Sequence, residues 1–171
     1  RYMKYLCPLL KDEVYPKTKE LKLRRCSRGV LVNEKDEVLL IHIKCTDKFG
    51  VRDHYELPGG GIDRFETKRF ALRREALEEA GCKINKIVPL GIIDIEYNLL
   101  NSLNRQYFFG ARIAKMVKPQ RQKNELKMMD DIIFVPLSKI EEFYASYHVE
   151  NIGIPIHKRD LCAIRAYRKK L

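Results

Sequence analysis

The chain has 171 residues, 45% hydrophobic and 33% charged, which is the length and balance of a globular protein with one full core; two independent domains would each be small for an interior of their own. Its 34 Lys and Arg outnumber 23 Asp and Glu, and the formal net charge of +11 favours acidic partners such as phosphates, nucleotides or nucleic acid. No apolar run approaches the roughly 20 residues that cross a bilayer as a helix, so no membrane partner is expected. Cys7, Cys26, Cys45, Cys82 and Cys162 are odd in number and irregular in spacing, with no CxxC and no clustered histidines. That pattern argues against a structural zinc site and fits a reduced, cytoplasmic compartment.

The first stretch, "RYMKYLCPLLKDEVYPK", is apolar but interrupted by Lys4 and Lys11 and lacks a small-residue cleavage site, so it does not read as a secretory signal. Residues 1–20 are expected to be an N-terminal extension to a single domain over 21–171. From Leu21, two β-rich runs flank the polar turn "NEKDE" and predict an antiparallel hairpin, with Gly29 as a bulge. The loop that follows ends in Gly59, Gly60 and Gly61, expected to be a flexible turn where backbone can approach a ligand.

A helix is expected over Lys68–Ala80, with Thr67 as N-cap and Gly81 as a left-handed stop. Phe70, Leu72, Ala76, Leu77 and Ala80 are read as its packing arc, and Glu75, Glu78 and Glu79 as the opposite, acidic face. Two extended runs, "KIVPLGIIDIEYN" and "RQYFFGARIAKMV", follow, the second placing Phe108 and Phe109 in the core. A third run, "DDIIFVPL", precedes helices starting at Ser138 and at Lys158, the last with a cationic end that suits a helix carboxyl terminus. The short basic clusters at Arg24, Lys118 and Arg168 lack the interleaved aromatics of a nucleic-acid platform, so nucleic acid is compatible with the charge but not favoured.

Three like charges within one helical turn repel, and an exposed face with Arg73 and Arg74 as counter-charges is the ordinary reading of such a triplet. The adjoining glycines change that, because they set unhindered backbone carbonyls beside carboxylates, and hard divalent cations seek oxygen ligands of this kind.

The stretch resembles the Nudix box: Gly60, five residues, Glu66, seven residues, Arg74, Glu75, Ala76, one residue, Glu78, Glu79, one residue, Gly81 and Cys82. All seven fixed positions are present; Ala76 and Cys82 are smaller than the aliphatic residues usual in the family. The resemblance implies an α/β fold, an α/β/α sandwich with a mixed sheet between helices. It further implies hydrolysis of the diphosphate bond in a nucleoside diphosphate linked to another moiety, such as a nucleotide, nucleotide sugar or ADP-ribose.

In the family, glutamates matching Glu75, Glu78 and Glu79 bind magnesium, or manganese, with the carbonyl matching Gly60. The resemblance also pairs Glu66 with Arg74 and makes Glu56 an additional metal ligand. Glu125 is the best positional match for the general base, with Glu79, Asp130 and Asp131 as rivals. Gly59, Gly60 and Gly61 would lie against the diphosphate, and Tyr55, with His54, would line the substrate pocket. No subfamily mark for the substrate is present. The alternatives are an RNA 5′-pyrophosphohydrolase and a non-catalytic nucleotide-binding module of the same fold; a homodimer is compatible with the N-terminal segment acting as a swapped arm.

Overall fold

The hairpin expected around Asn33–Asp36 forms, but its strands soon part. In the computed structural model, which describes residues 2–171, β1 (Lys22–Val32) and β2 (Glu37–Asp47) are in register at Val32 and Val38. The turn is closed by the Asn33 carboxamide oxygen, which accepts from the amides of Lys35 and Glu37 at 3.0 Å each. Beyond it, β1 runs parallel to β6 (Ser102–Met116) and takes β4 (Gly59–Gly61) antiparallel, while β2 takes β3 (Gly50–Glu56) and β7 (Met129–Pro136). With β5 (Cys82–Tyr97) antiparallel to β6, the sheet reads β3-β2-β1-β6-β5, β4 joining β1 and β7 joining β2. One parallel pair among antiparallel ones makes it a mixed sheet.

Both faces of the sheet are covered. Alternation along the strands sends Leu31, Leu39, Ile41 and Phe109 to one face, under α1 (Lys68–Ala80), and Val30, Val32, Val38, Leu40 and Phe108 to the other. The second face is closed by α3 (Ile140–Ser146) and α4 (Gly153–Arg168), which adds Ile164 and Tyr167. Each fully buried aliphatic or aromatic side chain contributes about 1.5–3 kcal/mol of transfer free energy. The result is the α/β/α sandwich.

Several local expectations change. The β1–β6 register passes through Gly29 without a shift, so there is no bulge; a Cβ there would lie 2.8 Å from Leu72 Cδ1, and glycine lets α1 press onto the sheet. The three glycines form β4 rather than a flexible turn, because Cys26, Ser27 and Arg28 pair with Gly61, Gly60 and Gly59. Thr67 caps α1 by accepting from the Phe70 amide at 3.1 Å, and Gly81 ends it at φ 65.

The packing face of α1 holds Leu72, Ala76 and Ala80 as expected but is turned away from Phe70 and Leu77. Phe70 is 58% exposed, whereas Ala71, Leu72, Glu75, Ala76, Glu79 and Ala80 are buried. At about 100° per residue, Glu75 and Glu79 fall within roughly 60° of Leu72, while Phe70 and Leu77 fall roughly 140–160° away. Two glutamates thus share the buried face with the aliphatic residues.

β5 starts at Cys82, directly after the helix stop, earlier than the Lys86 expected. A short helix, α2 (Lys123–Met128), occupies what reads as a loop, started by a capping box between Gln122 and Glu125. The last helix begins at Gly153 instead of Lys158, with Pro155 in its first turn, where a missing N–H costs nothing. The N-terminal segment lies on the outer edge of β5 in its own chain: Leu6 and Leu10 donate to the carbonyls of Ile92 and Asp94, and Ile92 and Glu96 donate back to Lys4 and Leu10. The edge that a swapped arm would pair is thereby occupied from within.

Candidate active site

The parting of β1 and β2 opens a cavity of about 330 Å³, with β1 and β4 on one side, β2 on the other, and α1 and α2 at its mouth. Its acidic wall is Glu75, Glu78, Glu79 and Glu125; Arg24, Arg28, Glu56, Gln122 and Asn124 complete the polar side-chain lining. Oxygens of Glu75, Glu79 and Glu125 come within 4.8 Å of one another. Glu75 reaches this place because β4 is glycine: a Cβ on Gly60 would sit 2.6 Å from Glu75 Oε1.

Arg74 braces the junction. Its guanidinium donates to Glu66 Oε2 at 2.9 Å, to the Gly61 carbonyl at 3.0 Å and to Glu75 Oε1 at 2.8 Å, and lies 3.5 Å from Glu78 Oε2. One planar fork therefore ties β4, the loop and α1 together, which an ammonium point charge could not do. These bonds, Glu66 first, hold Arg74 above its ordinary pKa, and Arg74 in turn holds Glu66 below the usual carboxylate range.

Burial, reinforced by Glu75, pushes Glu79 well above the usual carboxylate range. Burial also raises Glu78, with Glu75 and Glu125 adding repulsion that Arg74 only partly offsets. Burial alone would raise Glu56 too, but Arg28, His54 and Arg159 hold it well below the usual range. A half-buried carboxylate set strained by its own repulsion and made wholly of oxygen donors fits a hard divalent cation.

A sequence model of the family described as NUDIX domain matches residues 22–150, most of the chain. The chain belongs to the Nudix family. A solved structure of a NUDIX hydrolase from Nitrosomonas europaea superposes with a TM-score of 0.65 at 17% identity, covering 87% of this chain and 90% of that one. A MutT protein from Methanosarcina mazei Go1 gives 0.62 at 20% identity, covering 90% and 99%. A MutT NUDIX hydrolase from Burkholderia pseudomallei gives 0.53 at 21% identity, covering 68% and 85%. At these identities the likeness is one of fold. None of the curated proteins matches the chain in sequence.

Of the residues expected around the Nudix box, the fold gathers Glu56, Gly59, Gly60, Gly61, Glu75, Glu78, Glu79 and Glu125 on one cavity. It does not bring Tyr55 there. Side chains alternate along β3, and Tyr55 points away from Glu56, stacked on the His42 ring at 4.7 Å and edge-on to Phe143 and Tyr147. His54 is buried against His157, also outside the cavity. Asp130 bonds His42 and Asp131 caps the Ile132 amide, so of the three rival bases only Glu79 lines the site.

Glu56 faces the cavity, but its Oε1 accepts from Arg159 at 3.0 Å and lies 3.5 Å from Arg28. It sits between two guanidinium groups, and its place is as much structural as ligating. Arg24, Arg28 and Arg159 were not singled out as site residues from the sequence. The first two do leave a signal, since R-x-C-x-R over Arg24–Arg28 puts both on one face of a strand. Arg159 leaves no such trace: it is fully buried on α4, where Asp160 accepts at 2.7 Å, and Asp160 in turn accepts from the Leu57 amide at 2.9 Å.

Proposed function

We propose that the protein is a divalent-metal-dependent hydrolase of the diphosphate bond in a nucleoside diphosphate linked to another moiety, releasing nucleoside monophosphate or phosphate. The observation that carries this reading is the convergence of Glu75, Glu79 and Glu125 on a cavity whose far wall bears arginines. Glu75, Glu78, Glu79 and the Gly60 carbonyl would hold the ion, Mg2+ or Mn2+. When bound, the ion neutralises diphosphate charge and lowers the pKa of a water for in-line attack on phosphorus.

The chain's own groups do the rest. Arg24, exposed beside Gly61, has no carboxylate partner among the described residues and is placed to bind a phosphate oxygen of the substrate. Arg28 donates to the Leu57 carbonyl and, at 3.1 Å, to Gln106 Oε1, so it shapes the floor rather than swinging to the ligand. Glu125 accepts the Gln122 amide at 2.7 Å through Oε1, which fixes its side chain and leaves Oε2 to take a proton from the attacking water. The Arg74 brace holds Glu75 in position and keeps Glu66 away from the ion.

The test is a hydrolysis panel of nucleoside triphosphates, nucleotide sugars, ADP-ribose, dinucleoside polyphosphates and 5′-triphosphate RNA, with Mg2+ or with chelator. Turnover of a panel member that stops with chelator and in Glu79→Gln, at unchanged melting temperature, supports the reading. Turnover that survives chelator, or full activity in Glu79→Gln, overturns it.

A further inference from the structure

A second cavity, of about 430 Å³, lies on the α1 side of the sheet, lined by residues other than those of the catalytic one. Four cations line it: Lys4 from the N-terminal segment, Lys68 and Arg69 from the first turn of α1, and Lys170 after α4. No carboxylate lines it, and none of the four has an ion-pair partner within 4.0 Å among the described residues. The floor is apolar, built from the half-buried Pro89 and Leu90 with the buried Phe109 ring behind them.

Helix stability does not explain the cations. Positive side chains at a helix amino terminus face the positive end of its dipole, and α1 has no acid in its first turn to offset them. The two on α1 have their charged ends held in place. The Arg69 guanidinium lies 5.4 Å over the Phe109 ring and donates to the Ile87 carbonyl at 2.8 Å, and the Lys68 ammonium is 4.2 Å over the Tyr107 ring. Lys4 is set in place by its backbone, whose carbonyl accepts from the Ile92 amide at 2.8 Å. Gly91 permits this approach, since a Cβ there would meet the Lys4 carbonyl and Leu6 at 2.6 Å.

We propose that this cavity is a second, non-hydrolytic binding site for a nucleoside polyphosphate, its phosphates held by Lys4, Lys68, Arg69 and Lys170 and its base laid on the apolar floor. The volume is that of a small-molecule pocket, and four cations call for several negative charges on one ligand. The hollow is closed on one side by residues 2–4, which favours a compact ligand over a nucleic-acid strand passing through. Without carboxylates it holds no divalent ion, so binding there is independent of metal. Lys4 and Lys170 fall outside the residues that match the family, 22–150, so two of the four cations are supplied by segments beyond the matched domain.

The experiment is calorimetric titration of the full chain with ADP in excess chelator, where metal-dependent binding at the catalytic cavity is suppressed. Saturable one-to-one binding is expected, unchanged in Glu79→Gln and weakened about tenfold or more in Lys4→Ala/Lys170→Ala. A charge-matched control, Lys35→Ala/Lys44→Ala on exposed strand and turn positions, is expected to bind as wild type. Failure of ADP to bind in chelator, loss of binding in Glu79→Gln, or equal weakening in both lysine pairs overturns the proposal. So does tight binding of a single-stranded RNA oligonucleotide where ADP shows none. Hydrolysis by Lys4→Ala/Lys170→Ala is measured alongside; because the metal-dependent reaction uses neither lysine, the two readings fail separately.

Discussion

Gly60→Ala is the sharpest probe of the carboxylate cluster, because the substitution acts on geometry and leaves every ionisable group in place. Gly60 has no positive φ, so alanine can adopt its backbone. The added methyl would lie 2.6 Å from Glu75 Oε1 and 2.7 Å from its Cδ, against an ordinary contact of about 3.5 Å. The carboxylate must therefore retreat by about 1 Å, and a misplacement of that size at a reacting centre costs about 10²-fold in rate. The bond from Arg74 to Glu75 at 2.8 Å loosens at the same time, which costs about 1 kcal/mol and lowers the melting temperature by about 2–4 °C.

Gly59→Ala is the contrasting case. There the methyl meets the Ser27 carbonyl and lies 2.7 Å from Arg28 Cα, so β1 itself must move. The expected pair of results, from thermal melts with kcat/KM and metal titrations, is a folded Gly60→Ala with about a hundredfold loss and weakened metal response, and a Gly59→Ala that melts markedly lower. Wild-type kcat/KM and metal titration in Gly60→Ala would refute the placement of Glu75 at the ion.

Glu125→Gln is expected to lower kcat by about 10²–10⁴-fold at unchanged melting temperature, since the amide cannot take a proton; a change confined to KM would remove Glu125 from the role of base. Burial, with His54 adding to it, pulls His157 down to about 4, and its neutral Nε2 accepts the Tyr55 amide at 3.0 Å. A folded-state pKa below the unfolded value of about 6.5 means this stabilisation is complete above about 6.5 and is lost as pH falls towards 4. The difference is worth about 3 kcal/mol, so urea unfolding should show His157→Gln losing less stability than wild type between pH 7 and pH 4 by about that amount; parallel curves would show that His157 is not the group responsible.

The carboxylate half of the candidate site was legible because it is carried by spacing within one helix and the turn before it. Glu75 and Glu79 are one turn apart, Thr67 and Gly81 mark the ends, and Gly60 precedes them within a strand's reach. The same spacing also puts Glu75 and Glu79 on the buried side, with Leu72. An acidic face is normally a solvated face, and here the glycine strand makes room for it in the interior.

What the amino-acid order determined by itself was therefore local: the limits of α1, strand alternation and the Nudix box, with the sandwich expected through the resemblance that box carries. The tertiary structure decided which distant groups meet. It turned Glu125 into the carboxylate cluster on a short helix, sent Tyr55 to the far side of β3, and wedged Arg159 of α4 beside Glu56. It also folded residues 2–4 back onto β5 to close the second basic cavity. These are contacts between segments tens of residues apart, set by where β1 and β2 diverge and by how the helices settle on the sheet. Periodicity reports which face a side chain takes, but not what lies across from it.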